Sequence, residues 1–433
     1  MSSDATFGVR PRRDGGSNPP VATTRLLAWV LPTAAALGPS LPGIGPIFAF
    51  RLLVVVVALV ALAYPTNRQR LGITQPLSLL AAFWVANGIV LSLFAIDRTA
   101  ALRTMMAVSL GLLLSMSVVR IARTERRIAD WLARGWLLSF LVTGAIAAWE
   151  LRTGQHLTNY FLAPSAGERP LPAATFYNPN AFAVYLVGVQ AILLRTLIRT
   201  RRASMRIVLI AGSAACVFII LATGSRFCLA AVALLLLGVL MFDQISMARA
   251  LLVITVSGCL IWLVAPHAVL AIETVIPDDV RTTSAEQIRS SLNRADTSEG
   301  VRVELTKASV WLLGVSGGLG VGPGNFSAAL VEYDAPFETG ETAAPHNLLG
   351  ELASEFGLAV FLAVLLFVSS LVRRVIRTNS TDRAVLLGTG LALVPAGLAN
   401  SSYLLSSNLW ALFATLLCFV VLGESAAYGQ VEK

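Results

Sequence analysis

About twelve stretches of this chain are apolar over the length that an α-helix needs to cross a membrane. A spanning helix requires roughly 20 mostly apolar residues, because the hydrocarbon layer is about 30 Å thick. Since lipid offers no hydrogen bonds to backbone groups, such stretches must be helical. The sequence therefore predicts an all-α, polytopic membrane protein with about twelve transmembrane helices. The stretches are residues 25–41, 46–64, 76–95, 100–119, 131–149, 180–198, 207–223, 227–242, 250–272, 346–370, 384–400 and 407–423.

The composition favours the same class of protein. Of the 433 residues, 56% are hydrophobic and only 13% are charged, whereas soluble domains carry about 25% charged residues. Too few polar side chains remain to cover a water-facing surface. The cysteines lie in apolar stretches without CxxC spacing, so we interpret them as packing residues and predict no metal site. They are Cys216, Cys228, Cys259 and Cys418.

The distribution of basic residues predicts the orientation of the helices. The chain has 33 Lys and Arg against 24 Asp and Glu, a net charge of +9. If the N-terminus is cytoplasmic, most of the basic residues in short connections lie inside, which is the bias known from membrane proteins. Both termini are then cytoplasmic. Because the positive surplus marks topology, we expect no nucleic-acid partner. The densest basic connections are residues 120–127, 195–206 and 373–383.

The chain divides into a membrane domain with polar ends and one large insertion. Residues 1–24 are predicted to be a disordered cytoplasmic N-terminus, residues 25–423 the transmembrane helical domain and residues 424–433 a cytoplasmic tail. The N-terminal region has no signal-peptide cleavage pattern. Residues 273–345 are predicted to form an extracytoplasmic loop, which carries eleven acidic and five basic side chains.

Two features stand out within residues 273–345. Apolar residues recur at helical spacing in 299–313, which predicts an amphipathic helix on the outer surface, with Val301, Leu305, Ala308 and Leu312 on one face. Six glycines then fall between Gly314 and Gly324, and they predict a non-helical segment. It lacks the Lys-Ser/Thr ending of a P-loop and the strand–turn–helix context of a nucleophile elbow. It is either a turn back to the membrane or a backbone surface that approaches an anion or a sugar.

His346 is the histidine in the most informative position, where the large loop re-enters the membrane. Imidazole suits proton removal near neutral pH, so His346 is a candidate general base; the alternative is a hydrated histidine at the interface. Glu351 and Glu355 follow on one helix face. Charged groups in a spanning helix usually face a polar interior, so they mark either a polar site or helix-packing contacts.

Arg226 and Arg302 lie on the predicted outer side, against the general charge bias. Arg226 begins the second arm of an apolar hairpin, and Arg302 lies on the amphipathic helix. Separately, Arg226 could reach up to the interface and Arg302 could be solvated. If the two converge, their guanidinium groups would suit the oxygens of a lipid-linked pyrophosphate. The sequence assigns no role to Arg51 or to Glu351.

Four motifs follow one another in a recognisable order. Together they resemble the O-antigen ligase superfamily, which includes O-antigen ligases, polysaccharide polymerases and protein oligosaccharyltransferases. The motifs are FYNPNAFAVYL at 176–186, TGSRFCLAAVALLLL at 223–237, the Arg302 helix leading into GLGVGPGNF at 318–326, and PHNLLGELASEFGL at 345–358.

The resemblance implies a glycosyltransferase of the cytoplasmic membrane that needs no metal or other cofactor and has an extracytoplasmic active site. Its partners would be a polyprenyl pyrophosphate-linked glycan donor, membrane lipid, and an acceptor that is a glycan, lipid or protein. The resemblance places His346 as the catalytic base and Arg226 and Arg302 as pyrophosphate-binding residues. It assigns mainly structural roles to four further positions, Asn180, Gly322, Asn347 and Glu355.

Two alternatives are open at the level of sequence. A polymerase of the same superfamily would use a second lipid-linked repeat unit as acceptor, and nothing in the motifs separates it from a ligase. A transporter would also have about twelve helices. Transporters, however, are usually built from paired halves, and the chain shows no such repeat.

Overall fold

The computed structural model describes residues 20–41, 43–44, 47–65, 72–157, 171–242, 300–337, 339, 344–377, 382–400 and 402–431. Within these ranges the regular secondary structure is helical apart from a two-stranded hairpin of β1 (Gly43–Ile44) and β2 (Ile47–Phe48), and a 3₁₀ turn lies at Gly38–Ser40. The helices are α1 Val21–Leu37, α2 Ala49–Leu62, α3 Thr74–Leu93, α4 Arg98–Ala122, α5 Ile128–Thr153, α6 Pro179–Arg199, α7 Ala203–Ala222, α8 Arg226–Phe242, α9 at 300–315, α10 Phe326–Glu332, α11 Leu348–Arg377, α12 Asp382–Ala396 and α13 Ser407–Val431.

The all-helical membrane architecture is confirmed. Among the described residues, seven helices are long and apolar enough to span a membrane, and three shorter apolar helices accompany them. A helix covers most of eleven of the twelve predicted stretches, whereas the stretch 250–272 lies outside the described residues. The predicted count of about twelve spans therefore stays a prediction. The seven are α3 to α7, α11 and α13, and the three are α1, α2 and α8.

One end of the helical bundle, which we call the Asn325 end, collects the connections predicted to be extracytoplasmic. Asn325 is fully buried, and its carboxamide accepts from the backbone N–H of Asp97 at 2.6 Å and donates to the backbone oxygen of Asp97 at 3.1 Å. Asp97 in turn caps α4 by accepting from two backbone N–H groups of its first turn. These contacts join the α3–α4 connection to the segment before α10.

The opposite end of the bundle, the Tyr64 end, collects connections predicted to be cytoplasmic. Arg120 at the end of α4 donates to the backbone oxygen of Tyr64 at 2.7 Å. Asp382 is buried between Arg195 and Arg199, each with a nitrogen 3.1 Å from its Oδ1. The two ends therefore separate the two groups of connections, while the side of the membrane that each end faces stays a prediction.

Residues 300–337 build a small hydrophobic core of their own. Leu305, Ala308 and Leu312 of α9 are fully buried, in the predicted helical spacing, against Phe326 and Ala329 of α10. The helix predicted for 299–313 is thus present at 300–315. Its apolar face packs on α10, and its location on the outer surface stays a prediction.

Two of the predicted helices differ from the structure at places where another segment of the chain contacts them. The stretch predicted as one helix at 346–370 extends to Arg377 but contains a break at Gly357, where φ is 81° and ψ is 174°. The stretch predicted at 384–400 is helical only as far as Ala396. Both differences arise where another segment of the chain hydrogen-bonds to the backbone, as described next.

Candidate functional site

The glycine segment, residues 316–325, lies against the break in α11. Gly322 donates its backbone N–H to the oxygen of Glu355 at 3.1 Å, and Leu358 donates to the oxygen of Gly318 at 2.9 Å. These bonds satisfy backbone groups that an uninterrupted helix would pair internally. The glycine segment therefore packs against α11 at this break and forms hydrogen bonds with its backbone.

Close backbone approach explains why glycine occupies these positions. A Cβ atom on Gly357 would lie 2.1 Å from the oxygen of Leu319, well inside van der Waals contact. Gly322 has a φ of 101°, a conformation that residues with a side chain rarely adopt. The glycine segment is a turn packed on α11, and the described contacts of its backbone are with protein. An approach of this backbone to an anion or a sugar stays a prediction.

Glu351 and Glu355 are buried on α11 and hold two different segments of the chain. Glu355 accepts from the backbone N–H of Gly324 at 2.7 Å. Glu351 accepts from the backbone N–H of Tyr403 at 2.8 Å and from the hydroxyl of Ser402 at 2.9 Å. The two carboxyl groups therefore fix the glycine segment and the α12–α13 connection to α11.

His346 occupies a costly conformation just before α11. Its φ of 49° lies in the left-handed region, which costs a non-glycine residue about 1–3 kcal/mol. Its Nδ1 is buried and has no hydrogen-bond partner among the described residues. Burial, and then the positive charge of Arg302, lower the pKa of His346 to about 4. Strained backbone and unpaired buried polar atoms persist mostly at functional sites.

Arg302 joins three separate parts of the chain. Its Nη1 donates to the backbone oxygen of Leu398 at 2.8 Å, and its guanidinium carbon lies 4.8 Å from the centre of the Phe227 ring. It also acts electrostatically on His346. Arg302 is half-buried, so the alternative of a fully solvated arginine is wrong.

Arg226 lies beside this arrangement at the first position of α8. Only the turn Thr223–Ser225 separates α7 from α8, with Gly224 at a φ of 69°, so the predicted tight hairpin is present. The Arg226 side chain is exposed, and the next residue, Phe227, carries the ring beneath Arg302. The hairpin tip and α9 thus meet at Phe227 and Arg302, whereas the convergence of the two guanidinium groups stays a prediction.

The two predicted asparagines differ in what they do. Asn347 accepts from the backbone N–H of Leu349 at 3.0 Å and so caps the start of α11. Asn180 lies half-buried in the first turn of α6, and no hydrogen bond links it to the other candidate residues among the described contacts. The cap of α6 is Asn178, which accepts from Ala181 at 2.8 Å.

The connection between α12 and α13 makes contacts at this end of the bundle that no pattern in the sequence predicts. We call it the Tyr403 loop, comprising the described residues 397–400 and 402–406. Gly397 accepts from the backbone N–H of Leu348 at 3.0 Å, and Leu398 accepts from Arg302. A short polar stretch between two predicted helices was the available signal, but such a stretch is equally typical of an ordinary turn.

Within the described residues, no group of three or more His, Cys, Asp or Glu side chains could hold a metal ion. The independence from metals stays a prediction. At the Asn325 end, the imidazole of His346 lies within electrostatic reach of the guanidinium group of Arg302, a combination that suits proton removal near an anionic leaving group.

Comparison with known proteins supports the resemblance seen in the motifs. Residues 211–365 match the Wzy_C family model, described as O-Antigen ligase, which confirms the likeness to the O-antigen ligase superfamily over α7 to the middle of α11. The teichuronic acid biosynthesis protein TuaE of Bacillus subtilis (strain 168) is 26% identical over 289 residues. That alignment covers 66% of this chain and 57% of the relative, so the chain spans a little over half of the length of the relative it matches.

Proposed function

We propose that this protein is a glycosyltransferase of the O-antigen ligase type. It would move a glycan from a polyprenyl pyrophosphate to an acceptor hydroxyl at the outer face of the cytoplasmic membrane. The likeness of residues 211–365 to the O-antigen ligase model supports this class of reaction. The alternative within the class is a polysaccharide polymerase, which the similarity to TuaE, a teichuronic acid biosynthesis protein, favours.

The observation that carries the proposal is the position of Arg302. Its guanidinium group lies over the ring that follows Arg226 and close enough to His346 to lower the pKa of the imidazole. The proposal takes His346 as the general base and Arg302 and Arg226 as the groups that bind phosphate oxygens, from three distant parts of the chain. A transporter would not require a strained, partly buried histidine at that place.

The proposed reaction is a single displacement. His346 takes the proton of the acceptor hydroxyl while the acceptor oxygen bonds to the anomeric carbon of the donor sugar. The bond from that carbon to the pyrophosphate oxygen breaks, and the polyprenyl pyrophosphate leaves with the negative charge. Arg226 and Arg302 stabilise this charge as it develops. One displacement inverts the anomeric configuration.

Reconstitution in proteoliposomes with a defined lipid-linked glycan tests the proposal. Transfer that releases polyprenyl pyrophosphate is the expected result, and its absence with all acceptor classes would contradict the proposal. The length of the product separates the two alternatives. A single added block indicates a ligase, whereas a ladder of repeat units indicates a polymerase.

Arg302→Ala and Arg226→Ala should each weaken donor binding by roughly tenfold or more, because a charge-assisted hydrogen bond contributes about 1.5–3 kcal/mol. Arg302→Lys should recover only part of the loss, since lysine lacks the planar fork. Equilibrium binding of polyprenyl pyrophosphate measures the effect. Lys307→Ala is the matched control, because Lys307 lies on the same helix but is exposed and paired with Glu304. Unchanged affinity in both arginine variants would remove them from the site.

The pH dependence of the reaction should follow His346. The base must be neutral, and its pKa in the free protein is about 4, so kcat/KM should fall only as the pH drops through about 4. A bound pyrophosphate offsets the charge of Arg302 and raises the pKa of His346, so the acid limb of kcat should lie at higher pH than that of kcat/KM. Coincident limbs near 6.5 would contradict this assignment.

A further inference from the structure

Tyr403 is buried, and its hydroxyl group organises the end of α12. The oxygen accepts from the backbone N–H of Asn400 at 2.8 Å and of Ala399 at 3.1 Å, and the hydroxyl donates to the backbone oxygen of Ala396. One phenol therefore pairs the last carbonyl of a helix and two amides of the following turn. This arrangement gives residues 397–400 a defined shape.

The carbonyl groups of that turn bind Arg302 and a residue close to His346. Leu398 binds the guanidinium group of Arg302. Gly397 binds the backbone N–H of Leu348, two residues after His346. The turn is thus the part of the structure that both Arg302 and the start of α11 contact through hydrogen bonds.

Glu351 connects α11 to the residues around Tyr403. It lies about one turn into α11 and accepts from the backbone N–H groups of Tyr403 at 2.8 Å and Leu404 at 3.3 Å. Hydrogen bonds therefore connect α11 to Tyr403 through Glu351, and the Tyr403 hydroxyl connects to the turn at residues 397–400. The turn in turn binds the start of α11 and Arg302. No step of the proposed reaction uses Tyr403 or Glu351 directly.

We propose that Tyr403 and Glu351 are positioning residues, which set the location of Arg302 relative to His346 through the carbonyl groups of Leu398 and Gly397. This inference rests on the proposed function for its catalytic consequence, but its structural content can be measured without any activity. Among the described residues, Arg302 is the charged group that acts on the titration of His346. A shift of Arg302 is therefore visible in that titration.

Tyr403→Phe tests the proposal, because it removes the hydroxyl group and keeps the buried ring. We expect kcat to fall roughly 10- to 100-fold, the size of effect that small misplacements of catalytic groups produce. We also expect the pKa of His346 to move upward from about 4 by roughly half a unit or more, as the charge of Arg302 becomes less fixed. NMR titration of labelled histidine in nanodiscs measures this pKa, with His346→Asn to assign the signal.

Tyr64→Phe is the matched control. Tyr64 is equally buried and its hydroxyl is paired with Thr24 at 2.7 Å, but it lies at the opposite end of the bundle. The Tyr64→Phe variant should lose some thermal stability, but its kcat and the pKa of its His346 should be unchanged. If Tyr403→Phe fails to fold, Glu351→Gln, which keeps the shape of the side chain, should show the same upward shift on a smaller scale.

The outcomes separate this inference from the proposed function. If folded Tyr403→Phe titrates and turns over like Tyr64→Phe, Tyr403 has a structural role only and the inference is overturned. If instead the titration shifts while His346→Asn retains full activity, the positioning is upheld and the catalytic assignment of His346 fails.

Discussion

Replacement of His346 by alanine should lower glycan transfer by roughly 10²- to 10⁴-fold, the range that a general base contributes. Donor affinity should stay within a few-fold of the original protein, because the pyrophosphate contacts are assigned to the arginines. The measurement is initial rate with a lipid-linked glycan in proteoliposomes, beside equilibrium binding of the donor. A variant that retains full activity would exclude His346 as the base.

The backbone at His346 needs a control of its own. Its φ of 49° is unfavourable for alanine, so loss of activity could come from a local rearrangement. Asparagine tolerates left-handed backbone better than most residues and has no basic group. His346→Asn should therefore lose as much activity as His346→Ala while keeping thermal stability. Leu349→Ala, at a half-exposed position in the same turn, should remain fully active.

Gly357→Ala should have the largest effect on stability. The added Cβ would lie 2.1 Å from the oxygen of Leu319, and a φ of 81° with a ψ of 174° is essentially restricted to glycine. Strain and clash together should cost roughly 3 kcal/mol or more. We expect the glycine segment to leave the break in α11, with a lower thermal transition and loss of transfer.

Gly314→Ala provides the comparison for that variant. Gly314 lies in α9, and a Cβ there would meet no atom within 4 Å. Since alanine stabilises a helix by up to about 1 kcal/mol relative to glycine, this change should be neutral or slightly stabilising. Equal thermal transitions for Gly357→Ala and the original protein, followed in nanodiscs, would show that the docking of the glycine segment contributes little.

The sequence indicates candidate residues, but it does not indicate the contacts that surround them. His346 and Arg302 were selected for residue type and position, and the structure brings them together. Asn180 was selected by motif and makes no hydrogen bond to them among the described contacts, whereas Tyr403 went unnoticed. A tyrosine in a short polar connection has no signature in the sequence, because its importance comes from which carbonyl and amide groups lie within reach of its hydroxyl.

The sequence by itself determined that the chain is a bundle of membrane helices, and where most of them lie. Hydrophobic length is a local property, and backbone groups in lipid can be satisfied only within each helix. Only the tertiary structure decided that the glycine segment packs into a break at Gly357. It also decided that Glu351 and Tyr403 form hydrogen bonds that position the turn to which Arg302 binds. Those contacts join segments far apart in the chain, so they depend on how the helices pack, which no local pattern encodes.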